Sequence, residues 1–219
     1  MTDYLTEQEQ IEILKNWIKQ YSLVILAGVV IAIIGITGWR YWQQRQQDQL
    51  NRASIIYDEM LTKRAQSDMP GTEIQAKKLL NRYPNNVYGQ LAAMMLARNA
   101  INKKDYQTAE KQLNWVLTNS DADALRQIAR LRLARIFIAT QQPEQALKTL
   151  KTIEDKNFNG LTNEVKGDAY LALNKVAEAR QSYQQALNDL PNAEVIRPLL
   201  QMKYDNLATV IPPSSSPAS

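Results

Sequence analysis

Charged side chains at helical spacing in the polar part of the chain are the residues best equipped for chemistry. Arg98 and Arg135 carry guanidinium forks that can hold a carboxylate through two parallel hydrogen bonds, and Glu164 and Asp168 carry carboxylates. The chain has no His and no Cys, which removes the commonest general base, the commonest transition-metal ligand and the thiolate nucleophile. It also has no Gly-rich phosphate loop and no Ser nucleophile elbow. We therefore predict a protein that is not an enzyme, uses no cofactor or metal, and binds other polypeptides.

These charges belong to a stripe that recurs on three predicted helices. Its members are three or four residues apart, so they share one helix face, and most are apolar. The stripe is Leu91, Met94, Arg98 and Ile101; then Ile128, Leu131, Arg135 and Ile138; then Leu161, Glu164, Asp168 and Leu171. A helix that is apolar on two faces is usually covered by something. One interpretation is a groove for an apolar or amphipathic segment of another chain. The other is that the stripe is core, because the array curves tightly or its last helix folds back.

The segments that carry the stripe read as short helices joined by tight turns. Ala, Leu, Gln, Lys and Arg dominate and favour helix over strand, and turn signals such as Pro70-Gly71 separate the segments. We predict an all-α protein in which residues 43–209 form one helical domain. Its first helix runs from about Gln43 to Gln66, and a capping helix spans Asn192 to Thr209. Residues 210–219, rich in Pro and Ser, are predicted to be a disordered tail.

Small and aromatic residues recur along this domain with the spacing of a tetratricopeptide repeat. The clearest unit combines Gly167 and Tyr170 with the later residues Ala179, Tyr183, Ala186 and Pro191. It matches the G-x2-Y, A-x3-F and closing Pro of that repeat. Equivalent stretches begin 33 residues before Ala179, at Ala146, and 37 residues before that, at Ala109, while Ala76 marks a degenerate first unit. Because each repeat buries its apolar face against its neighbours, we predict a tetratricopeptide-like α-solenoid.

Upstream of the repeats, an uncharged run of twenty residues lies between Lys19 and Arg40. At about 1.5 Å rise per residue, a helix of that length spans the roughly 30 Å hydrocarbon core of a bilayer. Aromatic side chains flank the run, as is typical of membrane interfaces; they are Trp17, Tyr21, Trp39, Tyr41 and Trp42. We predict a short N-terminal segment at 1–19 and an uncleaved transmembrane anchor at 20–42. A cleavable signal peptide is disfavoured, because its apolar region is shorter and ends in small residues.

Two properties of the anchor and the charge distribution bear on partners. Gly28, Ala32 and Gly35 form a small-residue stripe that would let another membrane helix approach closely. The flanking charges leave the orientation open: they lean weakly towards a cytosolic C-terminal side, but long domains translocate largely regardless of charge. The net charge of +4 is spread along the chain without a basic block, so we predict no nucleic-acid binding.

Several short blocks, in order and behind an anchor, resemble the YfgM family of bacterial inner-membrane proteins. They are Gly38-Trp39-Arg40-Tyr41-Trp42, Tyr88-Gly89, Leu131-Arg132-Leu133-Ala134-Arg135, Ala146-Leu147-Lys148-Thr149-Leu150, Gln201-Met202-Lys203 and Asn206-Leu207. The resemblance implies a non-enzymatic accessory subunit of the SecYEG translocon, with a cytosolic N-terminus and a periplasmic tetratricopeptide domain. It also implies partnership with the membrane-anchored periplasmic chaperone PpiD. The residues themselves leave open a cytosol-facing adaptor that docks a soluble complex to the membrane, and they predict no oligomeric state.

Overall fold

A computed structural model describes residues 7–190 and 194–208, and the regular structure in that part of the chain is helical. The elements are α1 (Glu7–Ala65), α2 (Met69–Arg82), α3 (Val87–Asn102), α4 (Tyr106–Asn119), α5 (Asp123–Ala139), α6 (Pro143–Leu150), a 3-10 turn (Lys156–Phe158), α7 (Asn159–Ala172), α8 (Val176–Asp189) and α9 (Arg197–Ala208). The chain divides into two compact units, one ending at Arg52 and the other beginning at Ala53. The predicted all-α fold is confirmed. Pro191 and the predicted tail at 210–219 lie outside the described residues.

One turn geometry recurs within the four helix pairs of the second unit, α1–α2, α3–α4, α5–α6 and α7–α8. In each pair a residue in the left-handed region, with φ of 58° to 60°, follows the first helix; these residues are Ser67, Lys104, Gln141 and Asn174. The next residue donates its N–H to the carbonyl oxygen five positions earlier, at 2.7 to 2.9 Å, a bond that commonly closes helices at a left-handed residue. That same residue is the N-cap of the second helix. The shared turn therefore marks the repeats independently of side-chain identity.

The last three helix pairs, from α3–α4 to α7–α8, combine a small residue on the first helix with a larger side chain at the equivalent place on the second. Gly167 in α7 lies against the ring of Tyr183 in α8, and a Cβ at position 167 would collide with that ring. In the two preceding pairs Ala134 and Ala97 take the place of the glycine, and Leu150 and Leu113 take the place of the tyrosine. All four are buried. One core cluster joins α3 to α7, with smaller clusters at the α1–α3 end and at α8–α9.

The predicted turn at Pro70-Gly71 is wrong. Both residues lie in the first turn of α2, where the missing N–H of proline leaves no hydrogen bond unmade. The Asp68 carboxylate caps this turn by accepting from the Gly71 N–H at 2.8 Å. The helix break thus lies earlier, at Gln66 to Asp68.

The predicted alignment of the first repeat is also wrong, by one helical turn. Ala109 donates its N–H to the carbonyl of its N-cap Asp105, four residues earlier, whereas the residue four positions after the N-cap of α2 is Thr72. Thr72 is fully buried, and its hydroxyl donates to the Asp68 carbonyl at 2.7 Å. Ala76 lies one turn later on the same face, which is why the spacing of apolar residues did not reveal the shift.

The predicted capping helix at Asn192 to Thr209 is present as α9, which begins later, at Arg197. Leu200 and Leu207 are 1% and 5% exposed and pack in the α8–α9 cluster. Arg197 Nη1 donates to the Leu187 carbonyl at 2.8 Å, which satisfies an acceptor in the last turn of α8. The helix covers the end of the repeat array, as predicted.

The part of α1 in the first unit carries the predicted anchor at 20–42. Among residues 7–190 and 194–208, no single helix is both long and apolar enough to cross a bilayer. The segments Gln10–Val24 and Leu26–Ala65, which meet at a 50° bend, pass that test as a pair by length and composition. The helix predicted from Gln43 to Gln66 falls within α1, which ends at Ala65.

Candidate partner-binding face

The predicted stripe lies on α3, α5 and α7, the first helices of three successive pairs. Its apolar members are mostly packed: Met94 and Leu131 are only 5% and 3% exposed, whereas Leu171 is 41% exposed. The half-buried apolar members are Leu91, Ile101, Ile128, Ile138 and Leu161. The apolar part of the stripe therefore contributes much of its area to the core, and the charged members dominate what is left at the surface.

Glu164 is the most buried charged member of the stripe, at 7% exposure. Arg135 Nη2 reaches its Oε2 at 3.0 Å from the neighbouring helix α5, and Lys203 Nζ reaches its Oε1 at 3.0 Å from α9. A carboxylate this far removed from water requires charged partners of this kind. Glu164 thus links α5, α7 and α9.

Asp168 is held from two sides. The Tyr183 hydroxyl donates to Oδ1 at 2.7 Å, and Lys203 Nζ lies 2.8 and 2.9 Å from its two carboxylate oxygens. One ammonium group therefore serves both carboxylates of the α7 stripe. The two acids predicted to face a partner are engaged within the chain, by a residue of the capping helix.

The protonation states of this cluster follow from its contacts. Burial alone would lower the pKa of Lys203, but the hydrogen bonds and charges of Asp168 and Glu164 outweigh it, so the pKa is raised. Burial and then the hydrogen bond to Asp168 raise the pKa of Tyr183, which keeps the phenol as a donor. Lys203 and Tyr183 therefore keep their protons at neutral pH and act as donors in this cluster.

Arginines of the stripe present a different environment at α3 and α5. Arg98 is exposed, and no ion pair or hydrogen bond of its side chain occurs among the described residues. Arg132, which is not a stripe member, is half-buried beside it, and its Nη1 donates to the Met94 carbonyl at a long 3.5 Å. Burial lowers the pKa of Arg132, and the charges of Arg98 and Arg135 lower it further. The three guanidinium groups therefore repel one another, and Arg135 is the one with a carboxylate partner among the described residues.

Two residues of this face were missed from the sequence, Lys203 and Arg132. Lys203 belongs to the block Gln201-Met202-Lys203 that carries part of the family resemblance, but no local spacing connects it with acids 35 and 39 residues away. Arg132 follows the stripe member Leu131 on α5. It lies four residues after Ile128 and three before Arg135, so helical spacing places it beside the stripe and could have marked it.

The small-residue stripe predicted at Gly28, Ala32 and Gly35 has no close neighbour among the described residues. A Cβ added at Gly28 or Gly35 would meet nothing within 4 Å, and Ala32 is exposed. Within residues 7–190 and 194–208, no group of three or more His, Cys, Asp or Glu side chains could hold a metal ion. The chemistry that the described side chains offer is packing and ion pairing.

Comparisons with known proteins agree over almost the whole length. A family model described as a tetratricopeptide repeat-like domain matches residues 15–209. The chain is 32% identical over 209 residues to the "Ancillary SecYEG translocon subunit" of Neisseria gonorrhoeae, covering 94% of this chain and 100% of that protein. Proteins of the same name in Escherichia coli and Haemophilus influenzae are each 29% identical, with 95% and 93% of this chain and 100% and 98% of those proteins covered. No solved structure matches the chain.

Proposed function

This chain belongs to the YfgM family of tetratricopeptide-repeat proteins, and from that membership we propose that it is a non-enzymatic accessory subunit of the SecYEG translocon. The observation that carries the proposal is the share of each chain that the similarity covers. Relatives named for the translocon align over their full lengths, so the similarity includes both the apolar N-terminal helix and the repeats. A segment with the length of a bilayer span and an array of helix pairs suit a protein that presents a binding domain beside a membrane channel.

The anchor and the orientation form the second part of the proposal. Residues 20–42 cross the inner membrane once, with the N-terminus in the cytosol and the repeat domain in the periplasm. The bent pair of helical segments is long and apolar enough to support a span, and the family resemblance supports the orientation. Gly28, Ala32 and Gly35, open within the chain, are the proposed contact with another membrane helix.

The repeat domain is the proposed binding part. We assign it a scaffold role in the periplasmic chaperone network, with a PpiD-like chaperone as a second partner; the family resemblance motivates both. The face on α3, α5 and α7 is the proposed contact surface. Its exposed members are Arg98, Arg135 and Leu171.

Association with the channel is tested by co-purification. Full-length tagged chain is solubilised from membranes in mild detergent, and SecYEG in the eluate is quantified. We expect SecYEG to co-purify, and replacing Gly28, Ala32 and Gly35 together by Leu to reduce its yield, because close backbone approach is lost. A matched control changes Ala27, Ile31 and Ile34 to Leu on a neighbouring face and should leave the yield unchanged. Absence of SecYEG with the unmodified chain would refute the proposal.

Orientation has its own test, which also separates the two functional readings. A reporter that is active only outside the cytosol is fused after Ser219. Activity supports the periplasmic domain. A silent reporter on a stable fusion would instead favour the cytosol-facing adaptor. The positive-inside rule weakly favours that orientation, because three basic residues follow the span: Arg40, Arg45 and Arg52.

A further inference from the structure

Arg98 in α3 lacks a carboxylate partner among the described residues for a reason that lies in the repeat itself. In α5, Arg135 follows the small residue Ala134, and its partner Glu164 lies three residues before the small residue of the next repeat, Gly167. Arg98 occupies the place of Arg135, because it follows Ala97. The residue in the place of Glu164 is then Leu131, three residues before Ala134, and it is apolar and buried. Two repeats therefore carry the arginine, as Arg98 and Arg135, but one acid, Glu164, is present at the matching place.

Arg132 is a second arginine without an acidic partner among the described residues. A guanidinium has five N–H donors, and the long bond to the Met94 carbonyl uses one of them. The nearby acids are committed elsewhere: Glu164 to Arg135 and Lys203, and Asp168 to Lys203 and Tyr183. Arg132 thus reaches from α5 to a carbonyl of α3 that lies one helical turn before Arg98, and neither arginine has an acidic partner among the described residues. Such an arrangement costs stability unless something outside the chain supplies the negative charge.

We infer that Arg98 and Arg132 bind a carboxylate of an acidic segment of a partner polypeptide, which supplies the negative charge that Glu164 supplies to Arg135. The inference rests on the proposed function, which makes the partner a protein. The guanidinium fork matches the two oxygens of a carboxylate, and the Arg135–Glu164 contact at 3.0 Å is the same interaction inside the fold. Leu91 and Ile128 are half-buried beside the pair, so the accessible apolar area is small. A partner can therefore recognise the surface around Arg98 and Arg132 mainly by its charge.

The test uses full-length chain in detergent and two synthetic helical peptides of equal length. One peptide alternates Leu with Glu along one face, and the other has Gln in place of every Glu. Binding is measured by fluorescence anisotropy at low and high salt. We expect the Glu peptide to bind at least about tenfold more tightly, because charged hydrogen bonds exceed neutral ones. The preference should shrink at high salt.

Matched double variants locate the site. Arg98→Gln with Arg132→Gln should remove the preference for the Glu peptide while the melting temperature stays the same or rises slightly, since neither side chain has an acidic partner among the described residues. The control, Arg82→Gln with Lys111→Gln, removes the same charge from exposed residues of α2 and α4 and should retain the preference.

Three results would overturn the inference. Equal binding of the two peptides to the unmodified chain is the first, and an equal loss in the control variant is the second. The third is a combined result: the chain does not distinguish the two peptides, yet it binds phosphatidylglycerol vesicles and this binding needs Arg98 and Arg132. That result would mean that the face binds lipid. If SecYEG co-purifies but the peptides are not distinguished, the inference alone fails. If the peptides are distinguished but SecYEG does not co-purify, the proposed function fails.

Discussion

Asp168 in α7 and Arg98 in α3 occupy the same place in their repeats, yet Asp168 is bonded to Tyr183 and Lys203, and Arg98 has no partner among the described residues. We call the first region, with Glu164, the α7–α9 end, and Arg98 with Arg132 the α3–α5 end. At the α7–α9 end the charges satisfy one another and hold three helices together. The difference shows that one position on a repeat can stabilise the fold in one copy and stay available for binding in another.

The largest effect is expected where the α7–α9 end is packed most tightly. Gly167→Ala places a methyl group in the ring of Tyr183, which is 1% exposed and fixed by its bond to Asp168. We expect a loss of about 3 kcal/mol in the free energy of unfolding, at the upper range for overpacking, measured by urea titration of the full chain. Gly38→Ala, where a Cβ meets nothing within 4 Å, is the control. A loss below about 1 kcal/mol would show that the ring is free to move.

The second-largest effect is expected at Lys203, whose ammonium group pairs with both Glu164 and Asp168. Lys203→Met leaves Glu164, 7% exposed, with Arg135 alone and Asp168 with Tyr183 alone. We expect a loss of about 2 kcal/mol, less than for a fully buried pair because Lys203 and Asp168 retain 25% side-chain exposure. Lys148→Met, at an exposed residue of α6, should change stability by less than about 0.5 kcal/mol.

A double-mutant cycle sharpens that prediction. If Lys203 acts through Glu164, then Lys203→Met combined with Glu164→Gln should cost about 1 kcal/mol less than the sum of the single changes. Additive losses would mean that the Lys203 effect comes from packing of its aliphatic stem and not from the ion pair.

The α3–α5 end should respond in the opposite direction. Arg132→Met removes a half-buried charge that Arg98 and Arg135 repel, while the new side chain can keep the packing of the stem. We expect the melting temperature to stay the same or to rise slightly, equivalent to less than about 1 kcal/mol. A clear fall would mean that Arg132 supports the fold, and the contrast between the two ends would be lost.

The smallest effect concerns the turns, which the two ends share. Lys104 and Asn174 both have φ near 60°, a region that costs most residues energy but that Asn tolerates. Lys104→Gly should therefore add up to about 1 kcal/mol of stability, and Asn174→Gly less. Equal gains would indicate that side-chain contacts, and not the backbone, set the cost at these turns.

Helix content, repeat spacing and the small-to-large packing could be predicted from the sequence, because they depend on local propensity and on periodicity. Gly167 opposite Tyr183 is an example: only a residue without Cβ lets the ring approach. The first repeat was misaligned because Thr72 and Ala76 lie one turn apart on one face, and helical periodicity is unchanged by a shift of one turn.

The ion pairs of the face could not be predicted in the same way. Lys203 lies 35 and 39 residues from its partners Asp168 and Glu164, and their contact depends on how α9 packs on α8. Arg98 likewise lacks an acidic partner among the described residues, because the next repeat has Leu131 at the place where Glu164 pairs with Arg135. The missing acid is noticed when the two places are compared in the structure. Long-range pairing needs the assembled helices.

One paired measurement tests the contrast most directly: the melting temperature and the dissociation constant for the Glu peptide, determined on the same preparations of Arg98→Gln/Arg132→Gln and Lys203→Met. We expect the arginine variant to lose peptide binding without a fall in melting temperature, while the lysine variant melts lower and still binds the peptide at temperatures where it is folded. Parallel changes in both quantities for both variants would contradict this expectation.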